Sequence, residues 1–168
     1  NYSKKLLEKK GYRFKSQTDT EVIVHLVTDY LKKHNLKNTI IKVLKKLHGS
    51  FALGIIFKDQ PDLIIGARRG SPLAVGYGPK EHYLGSDSYA LKSMTNKVSY
   101  LNDGEFCLIK ENEVEFFDTN GNKVNKKILN LSQDNQDYDK GDYKHFMSKE
   151  IDEQPIIIKN CVNEYVDK

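Results

Sequence analysis

The chain reads GYRFKSQTDTEVI from Gly11 to Ile23, and the sequence predicts that a helix begins within this stretch. Thr18 and Glu21 have the spacing of a capping box, in which the Glu21 amide donates to the Thr18 hydroxyl and the Thr18 amide donates to the Glu21 carboxylate. Apolar residues then recur at steps of three and four as far as Leu31. This spacing predicts an amphipathic helix with one buried face.

Two further helices are predicted, one on either side of this one. The first covers Lys4 to Lys10 and is followed by Gly11, the residue type that most often ends a helix. The second follows Asn38-Thr39 and ends near Gly49, with apolar residues on one face and lysines on the other. Helical pattern is therefore concentrated in the N-terminal third of the chain.

Beyond Gly49 the hydrophobic pattern changes to that of strands. From Phe51 to Phe57 both alternating sets of residues are apolar, which is typical of a strand buried on both faces. Glu111-Asn112 and Asn120-Gly121 have turn chemistry, and the second pair is a strong hairpin signal. Further elements are predicted as strands at Leu63–Ala67, Leu73–Tyr77, His82–Gly85, Glu105–Lys110 and Glu113–Phe117, with a short helix after Ser86-Asp87-Ser88. Helices segregated from a mostly antiparallel meander predict a layered α+β or α/β sandwich and not a doubly wound sheet.

The C-terminal part of the chain has a different pattern. Residues 132–142 are polar and acidic, which predicts a surface loop or linker. A helix is predicted over Tyr143–Ile151, and Gln154-Pro155 predicts a break before a new apolar segment at Ile156–Ile158.

The composition excludes several classes of protein. Of the 168 residues, 38% are hydrophobic and 30% are charged, which is typical of a globular chain and excludes a disordered one. No apolar run approaches the ~18 residues that a membrane-spanning helix requires. The net charge of +4 is too small to indicate a nucleic-acid partner. The two cysteines, Cys107 and Cys161, have no disulfide or zinc spacing, which favours a reducing cytoplasm.

Few side chains have a context that indicates chemistry. Asp19 is either an ordinary first-turn acid or a site for an ammonium group, because free N–H groups and the helix dipole keep a carboxylate ionised there. The segment Arg68–Leu73 either positions a substrate or a neighbouring domain or is a turn with solvated arginines, and its Gly-Ser-Pro order favours the turn. Cys107 lies in an apolar strand pattern that favours a buried structural side chain over a nucleophile. The five histidines lack metal-ligand spacing, so no metal site is predicted.

The stretch from Gly11 to Ile23 closely resembles the glutaminase domain of glucosamine-6-phosphate synthase, the isomerising glutamine:fructose-6-phosphate aminotransferase. The block Thr18–Glu21 is shared with amidophosphoribosyltransferase and asparagine synthetase, so it indicates only the superfamily. Tyr143–Pro155 resembles the stretch that joins the glutaminase to the sugar-isomerase domains, and it favours the synthase. Four other blocks resemble the same family in the same order: Leu47–Ala52, Ala67–Leu73, Gly85–Leu91 and Leu101–Glu105.

The resemblance implies a four-layer αββα sandwich of the N-terminal-nucleophile hydrolase type, incomplete at its N-terminus in this chain. It implies that an N-terminal cysteine attacks the side-chain amide of L-glutamine and that an Asn-Gly pair forms the oxyanion hole. Ammonia then passes to sugar-isomerase domains, which make glucosamine 6-phosphate, and no cofactor is implied. Asp19 matches the aspartate that binds the α-ammonium group of glutamine, and it is the one substrate contact that carries over.

The chain departs from this family at position 1, which is Asn1 and not the nucleophilic cysteine. We therefore expect residues 1–142 to be the C-terminal part of a glutaminase domain and residues 143–168 to be a linker with the start of the sugar-isomerase region. No catalytic residue is expected in these 168 residues, and alone they are expected to be inactive. The expected partners are L-glutamine and the isomerase domains of a longer, homo-oligomeric, cytoplasmic enzyme, with no nucleic acid and no membrane. Two alternatives remain: a non-catalytic interaction module with a glutaminase-like fold, and another amidotransferase such as amidophosphoribosyltransferase.

Overall fold

The computed structural model describes residues 2–131 and 141–166. The chain divides into two compact units, Asn1–Leu131 and Ser132–Lys168. The predicted loop or linker at 132–142 lies, apart from its last two residues, outside the described residues. The assignment of residues 1–142 and 143–168 to different domains of a parent protein stays a prediction.

The first unit begins with three helices and continues mainly as short strands. Its helices are α1 (Tyr2–Lys9), α2 (Asp19–Leu31), α3 (Leu36–Lys46) and α4 (Ser88–Leu91). Its strands are β1 (Phe51–Phe57), β2 (Gln60–Arg69), β3 (Ala74–Tyr77), β4 (His82–Gly85), β5 (Lys97–Tyr100), β6 (Phe106–Ile109), β7 (Val114–Phe117), β8 (Lys123–Val124) and β9 (Leu129–Asn130). The described part of the second unit contains α5 (Phe146–Val166).

The strands form two antiparallel sheets. The first has the order β1-β2-β6-β7-β8, and the second has the order β4-β3-β5-β9. Most strands pair with a neighbour in sequence, as in a meander. With the helices largely ahead of the strands, the fold is α+β, as the sequence predicts.

Helices α2 and α3 each bury one face against the first sheet. On each helix the buried residues form one stripe, with successive spacings of one, three or four residues, which confirms the amphipathic pattern predicted for them. The buried residues of this layer are Leu7, Val22, Leu26, Val27, Ile40, Val43 and Leu44 on the helices, and Leu63, Ile65, Ala67, Phe106 and Phe117 on the strands.

The two sheets pack face to face around a second cluster that includes Val75, Cys107 and Phe116. At Gly66 on β2 the second sheet approaches closely: a Cβ atom there would lie 2.8 Å from the Cδ1 of Leu84 on β4, and equally 2.8 Å from the Sγ of Cys107 on the neighbouring strand β6, so any larger residue would have to displace these side chains. On the other side of the second sheet, α4 packs through Leu91 against β3 and β5. The layer order of helix, sheet, sheet and helix confirms the predicted αββα sandwich.

The prediction that β1 is buried on both faces is wrong. Leu53 and Ile55 face the helices and are partly buried, but Ala52, Gly54 and Ile56 are exposed, with Ile56 at 78%. β1 is the edge strand of its sheet, and the first sheet contributes residues of β2, β6, β7 and β8, but none of β1, to the cluster between the sheets. Within the described residues, the second sheet therefore leaves this face of β1 largely uncovered.

Several helix boundaries differ from those predicted: α1 spans Tyr2–Lys9 and not Lys4–Lys10, and α5 begins at Phe146 and not at Tyr143. α3 begins at Leu36, ahead of the predicted start, because the side chain of Asn35 accepts a hydrogen bond from the Asn38 amide at 2.9 Å and caps the helix there. α5 continues through Pro155 as one helix of 21 residues, so the break predicted there is wrong. None of the described helices is sufficiently long and apolar to cross a membrane.

The hairpin turn between β7 and β8 lies where the sequence predicts it. Gly121 has a φ of +89° in the hairpin between β7 and β8, and its amide donates to the Asp118 carbonyl at 3.0 Å, which confirms the predicted Asn120-Gly121 turn. The sequence does not predict β5, β8 or β9. These strands have two to four residues each, too few to show an alternating pattern.

Candidate functional site

Helix α2 begins at Asp19, directly after the predicted capping residue Thr18. Thr18 has extended backbone angles, as a capping residue should, but its side chain makes no capping hydrogen bond to the helix. The predicted reciprocal bonds between Thr18 and Glu21 are therefore wrong in detail, although the helix starts where they predict. Asp19 is exposed in the first turn, where unpaired N–H groups and the helix dipole favour a negative charge.

The Glu21 carboxylate bonds to the loop that precedes the helix. It accepts from the Lys15 amide at 2.8 Å, from the Ser16 amide at 2.7 Å and from the Ser16 hydroxyl at 2.6 Å. These donors, the Ser16 hydroxyl foremost, lower the pKa of Glu21 from 4.5 to about 2. The Nε2 atom of His25 lies 3.5 Å from the same carboxylate, one turn further along the helix. The capping-box spacing therefore correctly indicates that Glu21 bonds near the helix start, but its partners are Lys15 and Ser16 and not Thr18.

A pocket of about 520 Å³ opens beside the start of α2. It is bounded by α1, the first two turns of α2, the C-terminal end of α3 and the beginning of β1. Its lining residues are Ser3, Asp19, Val22, Ile23, Leu26, Lys45, Lys46, Leu47, His48, Ser50 and Phe51. The one substrate-contact residue that the sequence predicts therefore lies in a pocket large enough for an amino acid.

This pocket contains charged groups of both signs. Asp19 contributes a carboxylate, while Lys45 and Lys46 contribute ammonium groups and His48 an imidazole. The sequence predicts Lys45 and Lys46 only as part of a solvated helix face, and they are indeed exposed. They line the pocket because they lie in the last turn of α3, close to where β1 begins. In the sequence, the one indication of this position is that they shortly precede Gly49, near which the helix is predicted to end. A zwitterionic ligand such as an amino acid has the matching charges.

Arg69 connects α3 and β1, the two elements that form one side of the pocket. Its guanidinium donates from Nη1 to the Leu47 carbonyl at 2.6 Å and from Nη2 to the Leu44 carbonyl at 3.3 Å, and it lies 5.3 Å from the centre of the Phe51 ring. These carbonyls are at the end of α3, where no further helical turn can donate to them. Arg69 therefore links α3 to β1 and β2 beside the pocket.

The preceding residue, Arg68, is bonded in a different direction. It donates from Nη1 to the Leu101 carbonyl at 2.8 Å and from Nη2 to the Asp103 carboxylate at 3.2 Å, and the Gly70 amide donates to the same carboxylate at 3.0 Å. The interpretation of this segment as a turn with solvated arginines is therefore wrong for both arginines. Each guanidinium bonds to protein groups, so both arginines have a structural role in this part of the fold.

Neither cysteine has the features of a catalytic nucleophile that the sequence could have predicted. Cys107 is fully buried between the sheets, as predicted, and burial raises the pKa of its thiol to about 12. Cys161 is exposed on α5 in the second unit. Over residues 2–131 and 141–166, no group of three or more His, Cys, Asp or Glu side chains is placed to hold a metal ion.

The sequence matches known amidotransferases. Residues 1–93 match the family model described as a glutamine amidotransferase domain. The glutamine–fructose-6-phosphate aminotransferase (isomerizing) of Mesorhizobium japonicum is 47% identical over 163 residues, which are 96% of this chain and 27% of that protein. The protein of the same name from Zymomonas mobilis is 44% identical over 162 residues, which are 96% of this chain and 26% of that protein. This chain thus spans about a quarter of the length of these relatives.

A solved structure has a similar fold. The glutamine phosphoribosylpyrophosphate amidotransferase from B. subtilis superimposes with a TM-score of 0.57 and 26% sequence identity. The match covers 73% of this chain and 27% of that chain. The likeness supports the αββα sandwich of the N-terminal-nucleophile amidotransferase type that the sequence predicts.

Proposed function

This chain belongs to the glutamine amidotransferase domain family, and on that premise we propose that its pocket binds L-glutamine through the α-ammonium group. The observation that carries the proposal is the state of the Asp19 carboxylate. It lies at the first turn of α2 and lines the pocket, and in the described part of the chain it has no hydrogen bond or ion pair. A carboxylate without a protein partner is suited to an ammonium ligand.

The rest of the pocket supports an amino acid as the ligand. Val22, Ile23 and Phe51 provide apolar surface for the aliphatic part of a side chain. The basic groups of Lys45, Lys46 and His48 give the same pocket a positive potential that favours the α-carboxylate. Glutamine carries both charges and a short aliphatic stem.

For the complete protein, we propose that it transfers the amide nitrogen of glutamine to fructose 6-phosphate and forms glucosamine 6-phosphate. The name shared by the relatives from M. japonicum and Z. mobilis supports this substrate pair. The sugar-isomerase domains of the same protein would then be the partner of this domain, in a homo-oligomeric cytoplasmic enzyme.

The 168 residues by themselves are proposed to be inactive as a glutaminase. A thiolate nucleophile must be deprotonated and reach the substrate amide. Cys107 meets neither condition, because it is fully buried and its thiol pKa is about 12. Cys161 lies on α5 in the second unit, and it does not match the N-terminal cysteine that the family resemblance implies as the nucleophile.

A second candidate is the transfer of ammonia to phosphoribosylpyrophosphate. The structural likeness to the B. subtilis amidotransferase supports it, but that likeness has 26% identity over 73% of this chain. The aminotransferases that act on fructose 6-phosphate by name share 44–47% over 96%. We therefore prefer fructose 6-phosphate as the acceptor.

The test is glutamate release from glutamine by the product of the complete gene and by these 168 residues, assayed side by side. We expect release by the complete product, stimulated by fructose 6-phosphate and not by phosphoribosylpyrophosphate, and none by the 168 residues. Stimulation by phosphoribosylpyrophosphate instead would favour the second candidate. No release and no glutamine binding by the complete product would indicate a non-catalytic interaction module.

A further inference from the structure

We propose that Glu21 is a positioning residue that holds Asp19 in the direction required to receive the α-ammonium group of the substrate. The proposal rests on the glutamine-binding function proposed above and assigns a role to a residue that does not line the pocket. It follows from three features of the loop and helix start: the bonds of Glu21, the missing cap at Thr18, and the absence of any side-chain partner for Asp19 among the described residues.

The bonds of Glu21 fix the loop that leads into α2. One carboxylate oxygen accepts from the Lys15 amide at 2.8 Å, and the other accepts from the amide and the hydroxyl of Ser16 at 2.7 and 2.6 Å. Three donors from two consecutive residues leave that loop little rotational freedom. Because the pKa of Glu21 is lowered to about 2, the carboxylate stays ionised, and these bonds stay charge-assisted, at neutral pH.

The same network reaches the residue directly before Asp19. The Ser16 hydroxyl lies 2.8 Å from the Thr18 hydroxyl, and the Thr18 amide donates to the Ser16 hydroxyl at 3.3 Å. Thr18 makes no side-chain bond to the helix that would fix the helix entry directly. The backbone angles at the start of α2 are therefore held through Ser16 by Glu21.

The Asp19 side chain has nothing else to direct it. Among the described residues no hydrogen bond or ion pair involves its carboxylate, so its direction depends on the backbone at 18–19. A misdirected carboxylate weakens a bond to an ammonium group, because such bonds depend on distance and angle. Glu21 lies two residues further along the helix and acts on the ligand only through this backbone.

The substitution Glu21→Gln tests this role at nearly constant shape. The amide side chain that it introduces keeps one acceptor oxygen but places an NH₂ group, which is only a donor, against the N–H donors of the loop. Asp29→Asn is the matched control: Asp29 lies on the same helix and bonds to Lys10 and Tyr12, far along the helix from Asp19.

The experiment measures kcat and KM for glutamine, and the glutamine Kd by calorimetry, in the complete gene product. We expect Asp19→Asn to raise KM and Kd about 10- to 100-fold, as loss of one charged hydrogen bond implies. We expect Glu21→Gln to raise both about 5- to 10-fold with kcat changed less than twofold, because the bond to the ammonium group is weakened equally in the bound substrate and in the transition state. The double variant should bind no more weakly than Asp19→Asn alone, since Glu21 acts through Asp19. Asp29→Asn should leave KM unchanged.

The outcomes separate this proposal from the function on which it rests. Unchanged KM in Asp19→Asn, or no glutamine binding by the wild type, would overturn the proposed function. A large effect of Asp19→Asn with no effect of Glu21→Gln, or additive effects in the double variant, would overturn the positioning role alone. If Glu21→Gln does not fold, Ser16→Ala removes the hydroxyl that joins Glu21 to Thr18, and a wild-type KM in this variant would likewise contradict the proposal.

Discussion

At the scale of single residues, Glu21 makes a contribution to stability whose pH dependence can be stated in advance. Its pKa is about 2 in the folded chain and 4.5 as an ordinary glutamate, so folding favours the ionised form. The contribution is therefore complete above pH 4.5, decreases as the pH falls from 4.5 towards 2, and is absent below 2. We expect the difference in Tm between the wild type and Glu21→Gln, followed by circular dichroism, to shrink from about pH 6 to about pH 2. A difference that stays constant over this range would contradict the bonding described for Glu21.

The sequence predicts the role of a single residue correctly when that role depends only on residues within one helical turn. The spacing of Thr18 and Glu21 correctly indicates where α2 starts, because capping residues act within one helical turn. It does not indicate that Glu21 bonds to Lys15 and Ser16, since that depends on the path of the loop before the helix. The position of Asp19 at the helix start is also predicted, because it depends only on the neighbouring residues. The pocket around Asp19 is not predicted, because α3 and β1, which are distant in sequence, form part of its lining.

At the scale of elements, Arg69 joins the end of α3 to the sheet and should be a major contributor to stability. We expect Arg69→Ala to lower the free energy of unfolding by about 2 kcal/mol, because it removes charged hydrogen bonds to the carbonyls of Leu44 and Leu47. Arg69→Lys should recover only part of this loss, since an ammonium group lacks the fork that reaches two carbonyls. Urea unfolding measures the effect, with Arg13→Ala, at an exposed position, as the control. Equal losses for Arg69→Ala and Arg13→Ala would contradict this role.

Helix α5 shows why an element boundary read from one residue type can be wrong. Pro155 has no N–H and so cannot donate to the Ile151 carbonyl, which is the reason to predict a break there. Yet Met147, Ile151, Ile158 and Val162 follow spacings of four, seven and four, so they share one face on both sides of the proline. This shared period fits the continuous helix that is observed. For this element, periodicity across the proline is the better guide.

At the scale of the whole molecule, the sequence predicts the order of the layers, but it does not predict which strand lies at the edge of a sheet or which strands pair. Separate blocks of helical and alternating pattern suffice to predict an α+β sandwich. The sequence predicts too much burial for β1, because the apolar residues Ala52, Gly54 and Ile56 do not reveal which strand is at the edge of the sheet. Strand order depends on long-range pairing, such as that between β2 and β6, which no local pattern records.

The edge position of β1 predicts how these 168 residues behave in solution. β1 pairs with β2 on one side, and no described strand pairs with its other side. Beside it lies an apolar groove of about 490 Å³, where Val24 of α2 and Ile56 are 57% and 78% exposed. An unpaired edge next to exposed apolar side chains favours association between chains.

We therefore expect sedimentation velocity to show concentration-dependent self-association of the 168 residues. The substitution Ile56→Lys should reduce this association, because a charged side chain on an edge strand opposes pairing. Met94→Lys, at a residue 47% exposed between α4 and β5, should leave it unchanged. A monomer at all concentrations, or equal effects of the two substitutions, would show that the β1 edge does not mediate association.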